Sequence, residues 1–569
     1  MLSDEARMPH PLPAVPSTAP RPPWDAWSDD GRALPPGARA IAGLLLHGKP
    51  HPVPRRAPAP LPAARLAADD LAALRAITEV DTSDEARRAH LGGKSTIDLL
   101  RRRLSIDDPA PDAIVLPATH AEVDAVLHAC DARGIVVVPF GGGTSVVGGV
   151  DPVDGIERHS GEGRHSGDGD GRSASSSASR PVITLDLART AALLALDETS
   201  LLATFGAGTT GPQAEELLGD RGYTLGHFPQ SFAFATLGGF AATRSSGQAS
   251  RGYGRFDDLV QRLRIATPTG ALDLGRAPAS AAGPDLRELF LGSEGTLGVI
   301  TEVTVAIRPT PAATAYGSWT FPAFADGADA LRELTQQGIR PTVIRLSDTT
   351  ETRVNAVLGG HVTRLRGSLA IATCEGASAQ EAASTLARTD AVFRAHGAKA
   401  RGEEPARAWE RGRFASPALR DTLLDIGVLA ETLETATTWA NLNALTGAVT
   451  TGLTDALTAE GTAPVIMCHI SHVYPSGASL YVTVVAALTD DPIGQWTRAK
   501  DAASRAIVDA GGTITHHHAV GRDHRPYLDA EIGEPGVRIV QAVKTAIDPH
   551  GIMNPGVLIP ARATPQERS

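Results

Sequence analysis

Tyr474 and a run of three histidines are the residues in this chain best suited to moving protons. Tyr474 closes the stretch Met467-Cys-His-Ile-Ser-His-Val-Tyr474, and His516, His517 and His518 close Gly511-Gly-Thr-Ile-Thr-His-His-His518. A phenol titrates at about 10 in water, so it exchanges protons near neutrality only beside a base or a cation. On extended backbone, side chains two apart share a face. Cys468, Ile470, His472 and Tyr474 are therefore expected on one side, and His469, Ser471 and Val473 on the other. The same rule groups His516 with His518 and turns His517 away. Imidazoles gathered around a phenol make an acid–base relay. The plainer alternatives are a polar strand edge or a zinc site. No second Cys-x-x-Cys or His-x-x-x-His completes a zinc set, so no metal is expected.

A different chemistry is written at Pro139-Phe-Gly-Gly-Gly-Thr-Ser-Val-Val-Gly-Gly-Val150. The run Gly134-Ile-Val-Val-Val-Pro139 before it reads as a buried strand, being β-branched and uninterrupted. Glycines crowded at a strand end let the backbone approach a ligand, and successive N–H groups there form an anion site. Thr144 and Ser145 add hydroxyls. A P-loop is excluded because no Gly-Lys-Ser/Thr follows, and a Rossmann fingerprint because Val146 stands where its third glycine belongs. A phosphate or pyrophosphate cradle remains, against a ligand-free glycine turn.

The rest of the chain must position these two sites. Its 569 residues allow two to four domains, and 42% hydrophobic with 21% charged residues is ordinary for a soluble globular protein. A net charge of -11 leaves no footprint for nucleic acid. Three scattered cysteines argue against a disulfide framework. No apolar run is long enough to span a membrane, and the N-terminus has no secretory h-region. A cytoplasmic, bacterial protein is expected.

Residues 1–62 are proline-rich and read as a largely disordered tail, and 562–569 as a second one. From Ala63, Leu66, Leu71, Leu74 and Ile77 recur at helical spacing, opening a helical region over 63–108. Strand Ile114–Leu116, helix His120–Arg133 and the glycine loop then form one strand–helix–strand unit within a domain over 109–309. The stretch from Arg158 to Ser179 has almost nothing apolar and reads as a disordered insertion, with His159 and His165 solvated. A second glycine-rich region spans Gly226 to Gly239, and strands are expected at Val260–Thr267 and Val303–Ile307. Beyond Pro309 strands alternate with helices at Ala328–Gln337, Ala377–Ala395, Leu442–Glu460 and Ile493–Ala510. That half, 310–561, reads as a separate α/β domain with a largely antiparallel sheet and a C-terminal return.

Four stretches taken together resemble the FAD-binding motifs of the vanillyl-alcohol-oxidase-type (PCMH-type) flavoproteins: Pro139–Ser145, Gln230–Thr236 with Gly238 and Gly239, Ala242–Ser245, and Glu294–Ile300. The resemblance implies an α+β fold with a two-subdomain FAD-binding domain and a C-terminal cap. By that resemblance Pro139, Phe140, Gly141, Gly142, Gly143, Thr144 and Ser145 hold the pyrophosphate. Gln230, Ser231, Phe232, Ala233, Phe234, Ala235 and Thr236 line the flavin with Ala242, Thr243, Arg244 and Ser245. Glu294, Gly295, Thr296, Leu297, Gly298, Val299 and Ile300 fall on the adenine side. Members with covalent FAD carry a histidine just after the glycine loop. Thr144, Ser145 and Val146 stand there, so non-covalent FAD is expected.

The cap segments around Tyr474 and His516–His518, with Pro341-Thr-Val-Ile-Arg345-Leu, Leu419-Arg420-Asp and Glu431-Thr-Leu-Glu-Thr435, resemble the alkyldihydroxyacetonephosphate synthase family. That resemblance implies exchange of the acyl chain of acyl-dihydroxyacetone phosphate for a fatty alcohol without net redox. The flavin N5 would trap C1, Tyr474 would move the proton, and His516–His518 would assist. A guanidinium fork suits phosphate, so Arg345 and Arg420 would hold an anionic, lipid-like substrate; a surface ion pair is the alternative for Arg345. The family also implies a homodimer, and a long-chain substrate implies peripheral contact at the inner membrane face. FAD-linked oxidation of a D-2-hydroxy acid, on the same fold with cap histidines and an arginine, is the competing enzyme reading, and an idle flavin-binding scaffold the non-enzymatic one.

Overall fold

The computed structural model describes residues 21–27, 51–106, 109–155, 179–358 and 366–560. Nearly all of the expected insertion, with His159 and His165, and the tail 562–569 lie outside the described residues.

β-Branched runs build the first sheet. β2 (Ala113–Leu116), β4 (Val182–Asp186) and β3 (Val136–Phe140) lie parallel, and β1 (Glu79–Asp81) pairs antiparallel with β2, in the order β1-β2-β4-β3. Helix His120–Arg133 crosses between β2 and β3. The Thr119 hydroxyl accepts from the Glu122 amide at 3.2 Å to start it, and Gly134 at φ 64° ends it. Val123, Val126, Leu127 and Cys130 form its fully buried stripe, each aliphatic side chain contributing about 1.5–3 kcal/mol. The C-terminal return closes the far edge of β3: the Val137 amide donates to Ile552 O, and the Asn554 amide to Val137 O.

An antiparallel second sheet is ordered β5-β6-β10-β8-β9, from β5 (Leu193–Asp197), β6 (Leu202–Gly206), β8 (Val260–Thr267), β9 (Gly270–Leu274) and β10 (Val299–Ala306). The two sheets share one apolar core. β7 (Tyr223–Thr224) and β11 (Arg308–Pro309) add a short ribbon.

The cap is a seven-stranded antiparallel sheet ordered β15-β12-β14-β13-β17-β18-β16. Its strands are β12 (Ala313–Phe321), β13 (Val343–Ser347), β14 (Ser368–Gly376), β15 (Lys399–Gly402), β16 (Val428–Thr438), β17 (Val465–Ile470) and β18 (Gly477–Ala487). Helices Phe324–Gln336, Ala379–Ala395, Leu442–Ala459 and Pro492–Asp509 pack their apolar stripes into its core. The expected fold class, a two-subdomain FAD-binding domain with a C-terminal cap, is the one observed.

One expectation is corrected. Part of the proline-rich start is packed against the cap: Trp27 and Val53 are buried in its core, and the Trp27 amide donates to Asp421. The amides of His51 and Val53 donate to Leu488 O and Leu424 O, so the segment finds the partners a free tail lacks. Helix Thr96–Leu104 likewise buries Ile97, Leu99 and Leu100 in the cap core. Its start is a capping box, in which the Asp98 amide donates to Ser95 Oγ and the Ser95 amide to the Asp98 carboxylate.

Candidate active site

Ile470 ends β17, and the backbone then turns through a short hairpin into β18: the Ser479 amide donates to His472 O and the Tyr474 amide to Gly477 O. Cys468, Ile470 and Val473 all enter the cap core. The expected alternation therefore slips by one residue after Ile470, as an irregular strand end permits. His469, His472 and Tyr474 line the site, and Cys468 and Ile470 do not. His469 lies opposite Tyr481 in register, the two rings stacked at 4.7 Å.

The three histidines are not on a strand. The Thr513 amide donates to Ala436 O, and the chain then wraps round one carboxylate, that of Glu434. The amides of His516, His517 and His518 donate to it at 2.6, 2.9 and 2.8 Å, and the Thr515 hydroxyl at 2.6 Å. Successive N–H groups converging on an anion form a nest. All three rings consequently cluster, with His517 centroids 5.3 Å from His516 and 4.8 Å from His518, so the expected separation of His517 is not observed. Burial alone would raise the Glu434 carboxyl; His517, His518 and His516 and the Thr515 hydroxyl outweigh it and hold the group well below the usual range.

Tyr474 meets this turn directly, its hydroxyl 2.6 Å from His516 Nε2. His516 Nδ1 in turn lies 3.0 Å from His517 Nδ1. Arg255 donates to His516 O at 3.1 Å and is fixed by Asp257. Burial raises the Tyr474 hydroxyl, and the Arg255 cation draws it part of the way back. Burial lowers His516 to about 4 against the pull of Glu434, and holds His517 and His472 well below the ordinary range. These rings are neutral at pH 7. A neutral imidazole has one donor and one acceptor nitrogen. One consistent arrangement then runs from the Tyr474 hydroxyl to His516 Nε2, and from His516 Nδ1–H to His517 Nδ1.

His472, His516 and His517 bring ring nitrogens within 4.8 Å of one another, a spacing that can hold a metal. His516 uses both nitrogens in the relay, and His472 Nδ1 is bound by Ser250 Oγ at 2.7 Å and Ser246 Oγ at 3.1 Å. These are the contacts of a hydrogen-bonded relay.

The two arginines depart from expectation. Arg345 pairs with Glu351 at 2.7 Å and reaches His469 Nδ1 at 3.0 Å; Arg420 pairs with Glu431 at 2.9 Å and donates to Lys94 O. Both pairs are largely buried, so neither is a surface pair, and neither guanidinium lacks a carboxylate. Arg345 orients His469, and Arg420 ties helix Ser416–Asp425 to β16.

The four glycine-rich stretches converge. A Cβ on Gly142 would stand 2.1 Å from Phe234 O, and one on Gly141 2.4 Å from Thr236 Oγ1, so side chains there are incompatible with the packing. Thr236 caps helix Leu237–Ala242, and the Glu294 amide donates to Ala242 O. Gly295 sits against Pro139. Among the described residues the amides from Gly141 to Ser145 donate to no group of the protein, and Gln230 Oε1 is buried without a partner. Free amides at a glycine turn beside an orphaned buried acceptor fit FAD pyrophosphate and flavin. Within the stretches, Leu297, Val299 and Ile300 are core residues, and Arg244 turns outward to Asp257 and Glu288. Glu294 accepts from the Val520 and Gly521 amides, and burial raises it to about 7.

Family models match this chain over both halves: an FAD binding domain over residues 111–156 and 167–274, and the FAD linked oxidases, C-terminal domain over 310–558. The alkyldihydroxyacetonephosphate synthase of Dictyostelium discoideum is 31% identical over 499 residues, 84% of this chain and 77% of that one. That of Trypanosoma brucei brucei is 30% identical over 508 residues, 85% and 78%. The chain belongs to the alkyldihydroxyacetonephosphate synthase family. It is an FAD enzyme of that family acting on a small molecule. A solved structure of an alkyldihydroxyacetonephosphate synthase matches with a TM-score of 0.75 and 26% identity, covering 94% of this chain and 99% of that one. The mitochondrial D-lactate dehydrogenase (cytochrome) of Arabidopsis thaliana is more distant, at 26% over 482 residues, 79% and 74%.

Sequence reasoning missed Glu434, Arg255, Ser246, Ser250 and Tyr481 as site residues. A carboxylate amid the Thr, Leu and Ala of β16 is a signal for Glu434. The others come from different elements, and only the fold brings them together.

Proposed function

We propose that this protein exchanges the acyl chain of an acyl-dihydroxyacetone phosphate for a long-chain alcohol. The observation that carries the reading is the Tyr474 hydroxyl 2.6 Å from His516 Nε2, at the head of a buried three-histidine turn beside the FAD motifs. In the overall reaction the C1–O bond to the acyl chain breaks and a C1–O bond to the alcohol forms. The alcohol proton leaves with the fatty acid, and no electrons are gained or lost. FAD, when bound, would supply an electron-accepting ring system for the chemistry at C1. Tyr474 exchanges the substrate proton, His516 accepts from and returns to the tyrosine, and Arg255 restrains both. Burial of the histidines excludes water from the relay.

A fatty alcohol and a phosphate-bearing substrate extend the reading to an anionic, lipid-like ligand, to contact with the cytoplasmic membrane face and to a homodimer. Vesicle co-sedimentation and sedimentation velocity measure the last two. The D-lactate dehydrogenase relative favours a second reading, oxidation of a D-2-hydroxy acid. Arg345 and Arg420 are already paired with Glu351 and Glu431, so their pairing does not separate the two readings, each of which needs a cation for an anionic substrate. Anaerobic addition of D-2-hydroxy acids to the flavoprotein separates the readings: the flavin spectrum is expected to persist, and bleaching would overturn the exchange reading.

A further inference from the structure

The geometry points to Glu434 as the positioning residue that makes Tyr474 basic, by holding the histidine turn and facing the proton that leaves the tyrosine. The inference rests on the relay reading above. In one step the Tyr474 O–H bond breaks and its proton joins His516 Nε2, while the proton on His516 Nδ1 passes to His517 Nδ1. The ends of the chain become a tyrosinate and an imidazolium; no electron moves, and the charges sum to zero. The tyrosinate then takes the substrate proton.

Such separation is costly in a buried site unless a charge awaits it. His517 Nδ1 lies 3.5 Å from Glu434 Oε2. Four donors, three amides and one hydroxyl, match the acceptor capacity of the carboxylate. It is therefore held ionised, and one group sets both the place and the charge preference of the rings. His518 Nδ1 stands 4.0 Å from its other oxygen. Other groups facing the turn are Arg255 and Asp257 from the FAD-binding half, His472 from the hairpin between β17 and β18, Tyr481 on β18, Glu431 on β16, Arg420 on helix Ser416–Asp425, Lys500 on helix Pro492–Asp509, and His524. Arg255 and Lys500 are cations that disfavour an imidazolium there, and Lys500 pairs with Asp523 at 2.6 Å. Among the described residues Glu434 is the carboxylate that accepts from all three histidine amides, while Glu531 accepts from Thr513 and Ile514 just before them.

The test uses the full-length holoenzyme. Glu434→Gln keeps the shape, removes the charge and turns an amide group against the N–H donors; Glu434→Asp keeps the charge. In Glu434→Gln the flavin spectrum is expected to persist, KM to change less than about threefold and kcat to fall by about 10²-fold or more. Histidine titration followed by NMR on selectively labelled protein is expected to move to lower pH, because the carboxylate raises the imidazoles. Glu434→Asp should recover part of kcat and of the titration. An unchanged kcat and titration in Glu434→Gln would overturn the inference, as would loss of flavin in both variants, which marks a purely structural role. Flavin content and titration are read without substrate. Wild-type protein that performs no exchange, with the titration shift present, would therefore sink the proposed reaction and leave Glu434 in its place.

Discussion

Tyr474 is the residue on which the chemistry turns, because its hydroxyl joins a buried neutral imidazole rather than solvent. Tyr474→Phe removes one oxygen and little volume. It should keep FAD bound with a normal spectrum, while turnover falls by about 10²–10⁴-fold, the range of a lost general acid–base group; steady-state kinetics beside a flavin spectrum measure both. Arg345 makes a different prediction. Replacing it with Met strands Glu351, which Arg345 and His469 hold well below the ordinary carboxylate range despite burial. Breaking a buried pair in this way costs about 3–5 kcal/mol, to be read from chemical unfolding. A variant as stable as wild type would show that the pair is not the anchor described.

At the scale of elements, the glycine loop after β3 is a packing requirement as much as a ligand site. Gly142→Ala drives a methyl group to 2.1 Å from Phe234 O, so the loop must leave the second motif. Retention of FAD through gel filtration should fall well below wild type. This element was legible in the sequence, since a β-branched run followed by crowded glycines is a local signal. Four helices of the cap, Phe324–Gln336, Ala379–Ala395, Leu442–Ala459 and Pro492–Asp509, were legible within a few residues from their apolar periodicity; the helices Thr349–Leu358, Glu404–Gly412, Ser416–Asp425 and Leu528–Ile547 were not. The face pattern around Tyr474 was not. Alternation assumes a continuing strand, and β17 stops at Ile470. The histidine run misled likewise, because the carboxylate that bends it, Glu434, stands about eighty residues earlier on β16. The roles of Arg345 and Arg420 were hidden for the same reason: their partners Glu351, His469, Glu431 and Lys94 are set by tertiary packing.

The whole molecule stores its site histidines neutral and buried where the two domains meet, and this couples its stability to pH. His516 is lowered from its ordinary 6.5 to about 4 on folding. Below 6.5 the unfolded chain binds the proton first, so stability is full above that pH and falls towards pH 4. The loss is about 3 kcal/mol for this ring alone. Glu434, also lowered, extends the loss to more acid pH. Urea unfolding at pH 7 and at pH 4.5 should give a clearly lower stability at the acid value; equal stabilities would contradict neutral, buried rings. The central claim, an exchange without net redox, is met most directly by incubating the purified flavoprotein with acyl-dihydroxyacetone phosphate and a labelled fatty alcohol. Labelled alkyl ether and free fatty acid are expected in equal amounts, with no external electron acceptor required. Absence of labelled ether, together with flavin reduction by a D-2-hydroxy acid, would contradict the claim.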